Sequence, residues 1–195
     1  MSDLDYLRML AASGMPRLYR GKTFANFDVD DGNRDAFEAA RAAALSVRGR
    51  VGGARAPAKP GLLLCGPTGV GKSHLAAAVA NAAMRDGAFV RWVYAPAVPR
   101  SDEDALDELC DPDSAPALVL DDVGVGKQTP RLLECLARIV DARCSEGAPL
   151  VVTTNYDEGG LRGWFGEEYG ARVCGRLREA CEVVFIDGDD RRGEM

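Results

Sequence analysis

Histidine is almost missing from this chain: among 195 residues the only one is His74. The six cysteines, Cys65, Cys110, Cys135, Cys144, Cys174 and Cys181, form no CxxC pair and no Cys/His cluster at zinc spacing. Zinc-ribbon and dithiol redox chemistry are therefore excluded, and the thiols read as reduced core residues. No apolar run approaches the roughly 20 residues of a membrane span. The opening MSDLDYLRML is acidic where an export signal is basic. Neither export nor membrane insertion is expected, and the expected compartment is the cytoplasm. Internal repeats and low-complexity tails are also lacking. What is present, 47% hydrophobic and 28% charged residues, suits one compact domain. The net charge of −6 repels nucleic acid at long range, so any DNA contact must come from a local basic patch.

The first twenty residues offer a short amphipathic stretch, DLDYLRMLAA, that stops at Gly14 and Pro16 and would pack on the domain or dock a partner. Residues 21–195 read as the main domain. NRDAFEAARAAALSV, Asn33 to Val47, predicts a helix, and Gly49 to Pro60 a loop. Apolar runs then alternate with helical ones: GLLLC, SHLAAAVANAAMRDG, AFVRWVYA, a short helix near Asp104 to Cys110, ALVLDD, PRLLECLARIVDARC, APLVVTTN, a helix near Glu167 to Ala180, and CEVVFID. This alternation predicts an α/β fold with a parallel sheet covered on both faces.

GPTGVGKS, Gly66 to Ser73, has the GxxxxGK(S/T) form, follows a predicted strand and opens a predicted helix. Gly66, Gly69 and Gly71 let the backbone turn its N–H groups toward phosphate oxygens, with Pro67, Thr68 and Val70 completing the loop. Lys72 should reach the β and γ phosphates of ATP, and Ser73 should ligate Mg2+. Ala117 to Leu120 form an apolar run that ends in Asp121 and Asp122. Beside a P-loop this is a Walker B pattern, in which Asp121 holds magnesium, directly or through water, and Asp122 acts as general base. Asn155 ends another buried run and is able to orient water or a phosphate oxygen, although asparagine also serves simple turns. His74, on the first helical turn, reads as a packing or capping residue beside the cofactor loop. Arg172 and Arg176 share one helix face and by composition are a solvated surface.

With GKSHLAAA, LVLDDVG, TFANF, TTNYD, GARVCGRLR and DGDDRR in place, the sequence resembles the AAA+ ATPases of the DnaC/IstB group, the helicase loaders and transposase helpers, over about Phe24 to Arg192. The resemblance implies a three-layer α/β/α AAA+ core with little or no separate lid. It makes Asn155 a sensor-1 residue and Arg176 an arginine finger for a neighbouring subunit's ATP, with Arg172 as the alternative. It makes Arg192 a sensor-2 arginine, with Arg191 as the alternative, and lines the adenine pocket with Phe24 and Phe27. The implied activity is ATP hydrolysis in replicative helicase loading, with ATP-dependent self-association and weak, ATP-dependent single-stranded DNA binding. A transposition helper acting with a transposase, a nucleotide-gated interaction module and a small-molecule kinase are the alternatives. Loaders of this group usually carry a substantial N-terminal docking domain, whereas about twenty residues precede Thr23, and the acidic stretch Val98 to Asp113 is short. Asp122 stands where many AAA+ proteins have glutamate, so slow hydrolysis is expected.

Overall fold

The computed structural model describes residues 1–52 and 59–191. Five strands, β1 (Gly61–Cys65), β2 (Val90–Tyr94), β3 (Ala117–Val123), β4 (Leu150–Thr154) and β5 (Cys181–Phe185), form one sheet in the order β2-β3-β4-β1-β5. Every pairing is parallel; Leu63 of β1, for example, sits between Val152 of β4 and Val183 of β5. The helices are α1 (Asp3–Ala12), α2 (Arg34–Gly52), α3 (Lys72–Arg85), α4 (Glu103–Cys110), α5 (Pro130–Ser145) and α6 (Glu158–Ala180).

Alternation along the strands builds two cores. Leu62, Leu64, Val119 and Val151 face one way and bury against the small residues of α2 and α3, Ala40, Ala76 and Ala80 among them. Leu63, Leu118, Leu120 and Val152 face the other way, against Leu106 of α4, Leu136 and Ile139 of α5, and Leu161, Val173 and Leu177 of α6. The strands carry apolar residues on both faces because both faces are covered, which is the three-layer arrangement expected from the sequence.

Helix starts are fixed by side-chain caps. Ser2, Asp102, Thr129 and Asp157 each accept a backbone N–H at the start of α1, α4, α5 and α6. The amphipathic stretch at the N-terminus packs on the domain: Tyr6 and Leu10 are buried, and Tyr6 Oη donates to Asn81 Oδ1 of α3 at 3.1 Å. Just beyond α1 the chain runs along the outer strand, and the Trp92 N–H donates to the Ser13 carbonyl at 2.7 Å. The segment thus covers an edge that would otherwise offer unpaired backbone groups. Among the described residues no helix is long and apolar enough to cross a membrane.

Two boundaries differ from the sequence reading. Helix α2 runs on through Gly52 where a loop was expected from Gly49; residues 53–58 of that loop lie outside the described residues. Helix α6 begins at Glu158, not near Glu167, because the Asp157 cap and the buried pair Leu161 and Phe165 hold a glycine-rich first half that propensity alone disfavours. Gly166, at φ 75°, bends the helix between its halves.

Candidate nucleotide site

The C-terminal ends of β1, β4 and β3 stand side by side, so the segments leaving these strands share one edge of the sheet. After β1 the chain turns through Gly66, Gly69 and Gly71, all at positive φ, into α3. At Gly71, φ 103°, a Cβ would meet the Phe27 ring at 2.8 Å, so conformation and contact both demand glycine. Val70 is fully buried and anchors the loop, while Pro67 and Thr68 are exposed. The loop closes on the first turn of α3, where unpaired backbone donors and the helix dipole favour an anion. Lys72 arches back over it, Nζ donating to the carbonyls of Gly66 at 2.7 Å and Pro67 at 2.6 Å.

Ser73 Oγ donates to Asp121 Oδ1 at 2.8 Å, which joins the loop to the end of β3. Asp121 is 3% exposed, and Thr153 Oγ1 donates to the same oxygen at 2.7 Å. Burial raises the Asp121 pKa above the usual carboxylate value, against the opposing pull of the Thr153 and Ser73 hydrogen bonds. A hydroxyl and a buried carboxylate in contact suit magnesium, which takes hard oxygen ligands, few of them from protein. Among the described residues no cluster of three or more His, Cys, Asp or Glu offers an all-protein metal cage.

Asp122 is half-buried and is the one non-glycine at positive φ among the described residues, at 61°. Its N–H donates to Thr153 Oγ1 at 2.9 Å, and the β3–β4 register shifts between Leu120 and Val123. This bulge breaks the strand's alternation at the carboxylate pair. Asn155 follows β4, between the loop strand and the carboxylate strand, and is exposed.

His74 Nε2 lies 3.1 Å from both the Thr23 carbonyl and Asn26 Oδ1. Both are acceptors, so Nε2 carries the proton. The ring meets Phe27 edge-on at 5.0 Å, Phe27 stacks on Phe37 at 5.9 Å, and Phe24 meets Phe37 edge-on at 5.6 Å. The TFANF turn is thereby pinned beside the start of α3, with His74 in the packing role expected of it. Burial depresses the His74 pKa, the Thr23 carbonyl pulling the other way. A depressed histidine contributes stability fully above its ordinary value of 6.5 and loses it as pH falls from there through the lower folded value. The melting temperature of the wild type should therefore fall more steeply between pH 7 and 5 than that of His74→Gln, as a thermal melt series on both proteins will show.

The arginines on α6 lie elsewhere. Arg172 Nε is 3.0 Å from Asp141 of α5 and its guanidinium lies over the Tyr169 ring, while Arg176 Nε is 3.9 Å from the same carboxylate. Their side chains are 54% and 46% exposed. A shallow hollow of about 660 Å³ beside them is lined by Glu134, Arg138, Asp141, Tyr169 and Arg172. It is mixed in charge and has no glycine loop.

After β5 the chain lies across the loop: the Ile186 N–H donates to the Cys65 carbonyl at 2.8 Å and the Arg191 N–H to the Gly69 carbonyl at 3.2 Å. A Cβ on Gly69 would fall 2.1 Å from Asp190 Oδ1. Arg191 turns its guanidinium onto the Asp28 carbonyl and the Asp30 carboxylate. Arg192 lies outside the described residues. Thr153 and this tail contact are the features that reading the sequence missed. Nothing in the spacing marks either.

The sequence profile of the IstB-like ATP binding protein family matches residues 54–194. The chain is 30% identical over 171 residues to the uncharacterized protein YdaV of Escherichia coli (strain K12), covering 82% of this chain and 64% of that one. It is 27% identical over 187 residues to the replicative helicase loader DnaI of Bacillus subtilis (strain 168), covering 88% of this chain and 58% of the loader. The chain thus spans less than two thirds of the length of either protein. A crystal structure of DnaI superposes with a TM-score of 0.73 at 28% identity, covering 92% of this chain and 95% of that one.

Proposed function

Because the chain belongs to the IstB-like ATP binding protein family, we propose that it is an AAA+ ATPase that loads a replicative helicase under the control of ATP. The observation that carries the chemistry is the Ser73–Asp121 hydrogen bond, which sets the phosphate loop against the carboxylates of β3. Likeness to a named helicase loader, in sequence and in fold, supports the choice of partner.

Magnesium-ATP brings the reactive phosphoryl group and the charge that neutralises it. The chain's own residues position and polarise. Lys72 would donate to the β and γ phosphates in place of its loop carbonyls; Ser73 and Asp121 would hold the metal; Asp122 would accept the proton of the attacking water; Asn155 would orient that water or a phosphate oxygen. Phe24 and Phe27 line the adenine side, and Arg192 serves as sensor 2. Arg176 acts as the finger toward a second copy, so the active form is a self-associated one. Its contact with Asp141, 3.9 Å against the 3.0 Å of Arg172, is the looser of the two and suits a group that must reach across a boundary. Asp122→Asn should keep ATP affinity within a few-fold and lose phosphate release by about 10² or more, because an amide cannot take the proton. Parallel binding and phosphate-release assays on that variant check this expectation. Single-stranded DNA is a weak, salt-sensitive ligand in this reading, given the net charge of −6.

A transposition helper is the second reading, favoured by the IstB-like profile itself. Light scattering on mixtures with the host's hexameric helicase, or with an IS21-type transposase, separates the two. An ATP-dependent helicase complex supports the loader. An ATP-dependent transposase complex in its place supports the helper, and no complex with either removes both.

A further inference from the structure

The ordering of Asp121 and Asp122 traces to a third residue on the neighbouring strand. Thr153 is fully buried in β4 and faces the α3 side of the sheet, the side of Val151 and Leu62. Leu150, Val151 and Val152 before it are apolar, Thr154 after it is likewise buried, and a valine would match the shape of Thr153 without its hydroxyl. A hydroxyl here needs a reason other than packing. The hydroxyl spends its one proton on Asp121 Oδ1 at 2.7 Å and accepts the Asp122 N–H at 2.9 Å. One oxygen thus fixes the side chain of one carboxylate and the backbone of the next.

The second contact falls where backbone support is most needed. Asp122 holds φ 61° inside a bulge, a left-handed conformation that aspartate tolerates better than most residues but that still gains from a fixed backbone partner. The first contact gives Asp121 its second donor. With Ser73 on the same oxygen, the carboxylate is aimed from two sides.

From this geometry we propose that Thr153 is a positioning residue of the hydrolytic site: its hydroxyl locks Asp121 toward the metal position and holds the left-handed turn that presents Asp122. The proposal rests on reading the crevice as a magnesium-ATP site. In this role Thr153 acts through Asp121 and Asp122, the residues its hydroxyl contacts.

The test uses Thr153→Val, which keeps the shape and removes the hydroxyl, and Thr153→Ser, which keeps the hydroxyl. Two quantities are read on the full chain: the Mg2+ concentration giving half-maximal binding of a fluorescent ATP analogue, and kcat and KM for ATP. In Thr153→Val the Mg2+ midpoint should rise and kcat fall, each by about 10- to 100-fold, the usual loss when a group orienting a metal ligand is removed. KM and analogue affinity at saturating Mg2+ should stay within a few-fold, and Thr153→Ser should recover most of both losses. A wild-type midpoint and kcat in Thr153→Val overturn the proposal, and so does a Thr153→Ser variant as impaired as Thr153→Val. If thermal melts find Thr153→Val and Thr153→Ala both unfolded, the residue is structural and the proposal falls. If the wild type itself binds no ATP, the nucleotide reading fails first and takes the proposal with it. A defect confined to the variants keeps the two cases apart.

Discussion

Lys72→Ala should lose magnesium-ATP binding by about 10² or more and show no measurable hydrolysis, while the fold survives. The expectation comes from where the ammonium lies. Lys72 is 5% exposed, and its Nζ donates to two carbonyls of its own loop, Gly66 and Pro67. Phosphate oxygens offer that ammonium charged acceptors in place of neutral ones. Charge-assisted hydrogen bonds are about twice as strong as neutral ones, so the lysine gains on ligand binding and alanine has nothing to offer. The strand before the loop and the helix after it are held by Leu64, Val70, Leu75 and Ala76, none of which the substitution touches. The melting temperature should therefore drop by no more than about 2–4 °C per kcal/mol of lost loop contacts. Filter binding with labelled ATP beside a thermal melt checks both halves. Undiminished affinity would remove Gly66 to Ser73 from the account.

Arg176→Ala should bind ATP normally and hydrolyse it about 10³- to 10⁵-fold more slowly, the range that a supplied arginine contributes to phosphoryl transfer. The Arg176 side chain is 46% exposed, on the flank of α6 that meets α5, and its contacts there are Asp141 and Glu179. If Arg176 serves a second copy's site, as proposed, a mixing experiment is decisive. Lys72→Ala subunits keep the finger and lack the phosphate site; Arg176→Ala subunits keep the site and lack the finger. Each alone should be inactive, and mixed assemblies should recover part of the activity. Continued inactivity despite demonstrated co-assembly, or normal hydrolysis by Arg176→Ala alone, makes Arg176 a surface arginine tied to Asp141 and moves the test to Arg172.

Much of this architecture is legible in the sequence because buried parallel strands are written as unbroken apolar runs. GLLLC, ALVLDD and LVVTT appear as β1, the start of β3, and β4, and the residues that end them meet at one edge. The glycine loop is equally legible, since its spacing reflects a backbone geometry that few other residues permit. The start of α6 is not. Four glycines, at 159, 160, 163 and 166, hide a helix that its Asp157 cap and its buried Leu161 secure.

What no pattern conveys is contact between distant segments. Thr153 lies 31 residues from Asp122, and a threonine in a strand looks like any other β-branched residue until the neighbouring strand is in place. The left-handed turn at Asp122 likewise falls at the bulge against β4, which the sequence does not mark. Asp141 gives no sign in the sequence that it gathers both Arg172 and Arg176. The tail contact of Asp190 with Gly69 depends on β5 delivering the chain back across the loop.

The most direct test of the central claim is an equilibrium titration of ATP into the wild-type chain in the presence of magnesium. Saturable binding of one nucleotide per chain is expected, displaced by ADP and weakened when magnesium is chelated. No saturable binding, with the protein folded by its own melt, would contradict it.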